Sequence, residues 1–427
     1  MNLHMARLLL LISLVISTTF RGHTQTQINI SKVYNPSIKT VELRNPIDIF
    51  APPVLILGSS NSQLTCGFDD LKGSIHRYEY TVIHCNADWT QSRLWPNEYI
   101  NGISEDRIND AKPSFGPRLN YTHYTFQFPT SSMQFTRSGN YLLKVFEENN
   151  PDKICFTLRF YVVEPMVSLT GTVTKSSSVE QRDAMQEVDF QVTTNNSLID
   201  PRSNVSAYIL QNGREDNTLK LRPKQVIGSI LDFNYDNGEN NFPAGNEFRR
   251  FNLSSIRSAM DHVSSISIVG DSCIAILVPD KPKAFKSYIS ENDVNGNFLP
   301  NNIDYQNANT ESEYVKVKFF LALSMPVTKG QIIVNGRFCE WDPVSGFIMK
   351  YNSSLKGYIG EGLLKQGYYD YMYLYYPEIN KPGLTSLVEG DYSETQNEYQ
   401  IFVYYHKPGE VYDRLIGTGV IGKTKGN

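Results

Sequence analysis

The sequence predicts an all-β protein built as three β-sandwich domains in series. Three observations carry this. Tyr and Phe are abundant, 26 and 22 residues against 3 Trp in a chain of 427, and both favour pleated, half-buried surfaces. Segment after segment alternates with period two, the spacing of a strand with one face inside. Helical periodicity is nearly absent, Leu253 to His262 being the best short candidate.

Taken in order, Ile75 to Cys85 (IHRYEYTVIHC) alternates, followed by Tyr121 to Phe128, Tyr141 to Phe146 and Ile154 to Val163. Ser138-Gly139-Asn140 reads as a hairpin turn, and Glu164-Pro165 breaks the last strand, so residues 27–165 form a first sandwich. A second unit, residues 166–309, contains Val167 to Val173, Val188 to Thr193, Val205 to Gln211, Ile266 to Val269 and Cys273 to Val278. The third, residues 310–427, contains Tyr314 to Leu323, Gln331 to Val334, Gly367 to Tyr376 and Gln400 to Tyr405.

Leu8 to Ile16 (LLLLISLVI) follows Arg7 and is too short to span a bilayer as a helix. Residues 1–26 therefore read as a cleavable secretory signal, and no later apolar run acts as a stop-transfer. The expectation is an exported protein without direct membrane insertion. Hydrophobic residues make up 40% and charged residues 20%, an ordinary globular balance. A net charge of -4 offers no basic domain for a phosphate backbone, which argues against nucleic acid as partner. Five cysteines without a CxxC pair indicate buried thiols, with one bridge permitted, and no zinc site.

Signatures of catalysis are sparse. No HExxH and no G-x-S-x-G elbow occurs, and neither a P-loop nor a GxGxxG turn is expected. The densest polar run is HCNADW, His84 to Trp89, but consecutive strand residues face opposite ways, so His84 is badly placed to activate Cys85. Asp232 to Asn241 (DFNYDNGENN) resembles a calcium loop with its glycine displaced and Pro243 where the bidentate acid belongs, which favours a plain turn. No catalytic residue, metal or cofactor is expected.

Two runs are candidates for partner contact. Phe242 to Phe251 (FPAGNEFRRF) sets Phe248 and Arg249 among aromatics, a composition found both in packed ion pairs and in interface cores. Gly367 to Tyr376 (GYYDYMYLYY) puts Tyr369, Tyr371, Tyr373 and Tyr375 on one face. That face suits cross-strand packing or an amphipathic binding surface. Phe248, Arg249, Tyr369 and Tyr371 are the candidate partner-binding residues.

The run Val334 to Trp341 (VNGRFCEW), with Met349, Tyr351, Leu363 and Gly367 to Tyr371, resembles an early-set immunoglobulin-like module of the glycogen-binding type. The resemblance implies immunoglobulin-like sandwiches. It leaves an exported carbohydrate-binding protein as the alternative function, with Trp341 as a lone sugar platform where such modules usually use more than one Trp.

A longer series of motifs is similar to the type IX secretion system plug protein family of Bacteroidota. It comprises Val33 to Val41 (VYNPSIKTV), Phe68-Asp69-Asp70-Leu71, Tyr80 to Trp89 (YTVIHCNADW) and Glu98-Tyr99-Ile100. It continues through Tyr121 to Tyr124, Ser138 to Val145 (SGNYLLKV), Val162 to Pro165, Phe242-Pro243, Gly245 to Arg249, Leu364 to Tyr369 (LKQGYY) and Tyr412 to Gly417 (YDRLIG). The resemblance implies a non-enzymatic periplasmic protein that seals the periplasmic mouth of the giant SprA/Sov-type outer-membrane translocon barrel.

Overall fold

A computed structural model describes residues 29–195 and 198–422. The expected signal segment lies outside the described residues. Those that are described form an all-β structure with three large hydrophobic cores and two smaller clusters.

The first core lies between two sheets. One orders Lys32–Val33, Asn150–Val163, Gly139–Glu147, Tyr78–Cys85 and Glu105–Ile108, with Val54–Ile56 parallel to Asn150–Val163. The other orders Ile38–Arg44, Leu64–Asp70, Thr122–Phe128 and Asp110–Pro113. Alternation turns Tyr78, Tyr80 and Val82 of one strand and Leu64, Cys66 and Phe68 of another inward. Phe68 stacks on Tyr124 at 4.9 Å and Tyr141 on Phe160 at 5.4 Å. Such pairs add about 0.5–1.5 kcal/mol each beyond the area they bury.

The second core also lies between two sheets. Ser168–Lys175, Met185–Thr193, Ile230–Asp232 and Gln225–Ile227 form one, with Asn241–Pro243 paired to Met185–Thr193. Leu219–Leu221, Val205–Gln211, Glu398–Tyr405 and Arg414–Gly422 form the other. The third core is wrapped by one nine-stranded sheet running from Arg249–Asn252 through Gly367–Tyr376 to Tyr314–Leu321, Ser272–Leu277 and Val263–Val269.

The strand pairings depart from the expected division into 166–309 and 310–427. Arg249–Asn252 and Phe298–Pro300 pair with Gly367–Tyr376, and Ser272–Leu277 pairs with Tyr314–Leu321. Meanwhile Val205–Gln211 pairs with Glu398–Tyr405. The third sandwich is thus inserted into the second, whose last two strands return after it. Partners this far apart in sequence carry no turn signature, so local patterning does not reveal them.

Two local expectations also fail. Leu253 to His262 is not helical: Asp304 accepts from Ser255 Oγ at 2.8 Å and the Ile256 amide at 2.9 Å, and Asn252 accepts from the Ser254 amide. These side chains take the bonds a helix would need. Ser138-Gly139-Asn140 is a strand start and not a hairpin turn, since the preceding Met133–Phe135 pairs with Ile100–Gly102. Gly139, at φ +144, passes so close to His84 that a Cβ would lie 2.6 Å from its Nε2.

Candidate functional site

The four candidate partner-binding residues are all buried: Tyr369 and Tyr371 face the core of the third sandwich, and Phe248 packs with Trp341, Met372 and Leu374 in a smaller cluster. Phe248, Tyr369 and Tyr371 are 1% exposed and Arg249 is 6% exposed. The antiparallel register sets Arg249 opposite Tyr371 and Phe251 opposite Tyr369. Gly367–Tyr376 is therefore a central strand whose tyrosine face looks into the core, where Phe251 and Tyr369 stack at 5.2 Å. Residues so placed do not present a surface to a partner.

Arg249 and Tyr371 belong to a buried charge network. Arg249 donates from Nε to Glu389 Oε1 at 3.0 Å, from Nη1 to Asp280 Oδ1 at 2.8 Å and from Nη2 to the Lys281 carbonyl at 2.8 Å. The hydroxyls of Tyr371 and Tyr373 donate to Asp280 Oδ2 at 2.7 and 2.8 Å. The Tyr373 amide donates to Glu389 Oε1 at 2.8 Å. Burial works against the guanidinium's charge, but the Glu389 and Asp280 carboxylates outweigh it and raise its pKa. Burial, and then the Asp280 charge, raise the Tyr371 and Tyr373 hydroxyls well above the usual range. Only a planar fork with several donors satisfies two carboxylates and a carbonyl at once.

The sugar platform fails for a similar reason. Trp341 is 3% exposed, packed with Phe248 at 5.9 Å and under the Arg214 guanidinium at 5.8 Å. Gly296, at φ +78, closes over both rings: a Cβ there would fall 2.6 Å from Trp341 and 2.7 Å from Phe248. No face of the indole is open to stack a sugar.

Asp69 and Lys365, which local pattern did not single out as a pair, meet between the first and third sandwiches. Lys365 Nζ donates to Asp69 Oδ2 at 2.7 Å and to the Asn309 carbonyl at 2.7 Å, and it lies 4.4 Å from the centre of the Tyr121 ring. Tyr314 donates its hydroxyl to Asp69 Oδ2 at 2.6 Å, and His123 Nδ1 lies 2.7 Å from Asp69 Oδ1. Burial lowers the lysine's pKa, against the pull of the Asp69 carboxylate. Nearby, Arg118 and Glu313 pair at 2.8 Å across the same junction.

The junction between the first and second sandwiches is packed as well. Tyr161 stacks on Phe402 at 3.9 Å, and the Ala87 amide donates to Asp413 Oδ2 at 3.0 Å. His84 meets the Tyr412 ring at 5.4 Å. The FDDL, YTVIHCNADW, LKQGYY and YDRLIG runs therefore converge on domain junctions. They help to set the arrangement of the three sandwiches.

His84 and Cys85 form no nucleophilic pair. Burial pushes the imidazole down to about 4 and the thiol up to about 12, so the thiolate is absent near neutrality. All five cysteines are buried and free. Against the expectation that neither motif is present, residues 417–424, GTGVIGKT, match the phosphate-binding pattern G-x-x-x-x-G-K-[ST], and 417–422 match G-x-G-x-x-G. Such a cradle needs a loop opening a helix. Here Gly417–Gly422 lies in the strand Arg414–Gly422, paired along Glu398–Tyr405. Its glycines serve close packing instead, since Cβ atoms at Gly417 and Gly419 would fall 2.4 Å from Val167 and 2.9 Å from Leu169. Among the described residues no cluster of His, Cys, Asp and Glu is arranged to hold a metal, and no helix is long and apolar enough to cross a membrane.

Residues 38–164 match the family model described as the type 9 secretion system plug protein 1st domain. No curated protein matches the chain. Among solved structures, the chain is similar to the crystal structure of a hypothetical protein from Parabacteroides merdae ATCC 43184, determined at 2.30 Å resolution. The two are 35% identical with a TM-score of 0.88, over 92% of this chain and 99% of that one. The family model covers the first sandwich, and the likeness to the Parabacteroides protein extends over the inserted arrangement of the other two. The chain belongs to the type IX secretion system plug family.

Proposed function

We propose that the protein is a periplasmic plug that binds and seals the periplasmic opening of the giant SprA/Sov-type outer-membrane barrel of the type IX secretion system, without catalysing a reaction. The observation that carries this reading is the family match over residues 38–164. Mechanical suitability supports it. A barrel wide enough for large cargo is an open aqueous channel, and sealing it calls for a body that does not deform. The Asp69–Lys365 pair and the Tyr161–Phe402 stack bind the sandwiches to one another through buried contacts. A stable seal would bury a standard interface or more, roughly 1,600 Å² in total. The buried state of Cys85 and His84 supports a role that needs no nucleophile.

The test is a pull-down of the tagged mature protein from outer membranes, paired with a permeability assay on a deletion strain. The expected result is recovery of a large barrel, and leakage of large hydrophilic solutes that disappears when the barrel is also deleted. Unchanged permeability with no barrel recovered would remove the reading.

A further inference from the structure

We propose that the turn at Phe285 is a docking knob whose ring seats in an apolar, carboxylate-rimmed socket on a protein partner. Phe285 is 100% exposed and sits at φ +62, the left-handed region that a bulky side chain rarely adopts. Such a residue normally persists because it packs against something in its own chain. A fully exposed ring gains nothing there, so the strain has no return within the folded chain.

Nor is the turn a loose loop. The amides of Lys283 and Ala284 both donate to the Val388 carbonyl, at 2.7 and 3.0 Å. The Tyr392 hydroxyl lies within hydrogen-bonding distance of the Lys283 and Lys286 carbonyls, at 2.9 and 2.7 Å, and accepts from the Lys286 amide at 3.2 Å. Below it stands the FPAGNEFRRF run. Arg249 holds the Lys281 carbonyl, Lys283 Nζ donates to the Glu247 carbonyl at 3.2 Å, and Tyr288 donates its hydroxyl to the Glu247 carboxylate. Residues that seemed suited to touch a partner thus act as positioning residues for one that is free to do so. A turn fixed in this way loses little backbone freedom on binding, which favours the ring it carries as an anchor.

The rim gives the partner's chemistry. Lys281 and Lys286 are exposed, and neither has a carboxylate within 4 Å among the described residues, while Lys283 faces Glu291 at 3.7 Å. Ile289, four residues further on, is 69% exposed. One rigid ring between unpaired ammonium groups fits a preformed socket lined by apolar atoms and ringed by Asp or Glu. The patch is small for holding a body of this size on a lipid surface, so a protein socket is favoured. This inference rests on the plug reading, under which the partner is the translocon barrel.

The test uses the full mature chain as wild type, Phe285→Gly and Phe285→Asn, with Lys281→Glu/Lys286→Glu as the charge variant. Gly and Asn accept the left-handed backbone, so both single variants should melt at the same temperature as wild type or about 1–3 °C higher. Capture of the detergent-solubilised barrel should nonetheless fall about tenfold or more, and the charge variant should weaken it with a loss of salt dependence. Equal capture by Phe285→Gly and wild type would overturn the knob and leave the plug reading standing. No capture by wild type would overturn both. Binding of wild type to vesicles containing anionic phospholipid, lost in Phe285→Gly while barrel capture is unchanged, would assign the knob to a lipid surface and overturn the protein socket.

Discussion

Lys365 and Arg249 are both cations with almost no exposure, but one joins two sandwiches and the other holds a single sandwich together. Lys365 meets one carboxylate, one carbonyl and the face of Tyr121. Arg249 meets two carboxylates and a carbonyl, and lies over the Tyr373 ring at 5.3 Å. Burial lowers the pKa of the lysine, whereas the arginine's carboxylates raise its own. The junction is thus built on a compact point charge that can lose its proton, and the core on a fork that does not. A fourth carboxyl group lacks a cation among the described residues. Asp370, fully buried, accepts from the Val294 amide at 2.6 Å and forms no ion pair among the described residues, with Asp293 nearby.

The sharpest way to break this comparison is Arg249→Met, which leaves Asp280 and Glu389 buried without their cation. Removing one partner of a buried pair costs about 3–5 kcal/mol, and two orphaned carboxylates put this variant at the upper end. Urea denaturation should show the loss, and a change under about 1 kcal/mol would mean that the network is hydrated. Lys365→Met should cost less, about 3 kcal/mol, because His123 and Tyr314 still face Asp69. Its loss should also separate the melting of the first sandwich from that of the third, and Asp69→Asn added to it should restore much of the stability.

The cation-free carboxyl gives a prediction in pH. Burial, and then the Asp293 charge, push Asp370 up to about 7 from an ordinary 3.8. The folded state therefore holds a proton that the unfolded state releases. Stability from this group is complete below about 4, declines as pH rises to about 7, and is level above that. Asp370→Asn should flatten the decline, visible as a Tm series across the window. The smallest expected effect is on sugar binding. With Trp341 enclosed by Phe248, Arg214 and Gly296, titration of maltoheptaose should give no heat and no change in indole fluorescence.

Much of the local structure was legible in the residues. Tyr78–Cys85, Val205–Gln211 and Gly367–Tyr376 are strands where period-two alternation places them. Pattern also grouped Tyr369, Tyr371 and Tyr373 on one face, but not which way that face looks, because Tyr is at home both in a core and on a wet surface. The FPAGNEFRRF run stood out by composition, and its partners Asp280 and Glu389 did not, being isolated acids in loops. Phe285 gave no signal because strain and exposure are properties of the folded backbone.

By itself, then, the sequence determined the strands, their two faces and the family motifs, since alternation and motif spacing are properties of a few neighbouring residues. Tertiary structure decided the insertion of the third sandwich into the second, the enclosure of Arg249 and Trp341, and the outward turn of Phe285. The physical reason is that a strand carries the same unpaired N–H and C=O groups whichever neighbour it takes. Which ladder closes, and which face a second sheet then covers, depends on residues more than a hundred positions away, as when Val205–Gln211 takes Glu398–Tyr405.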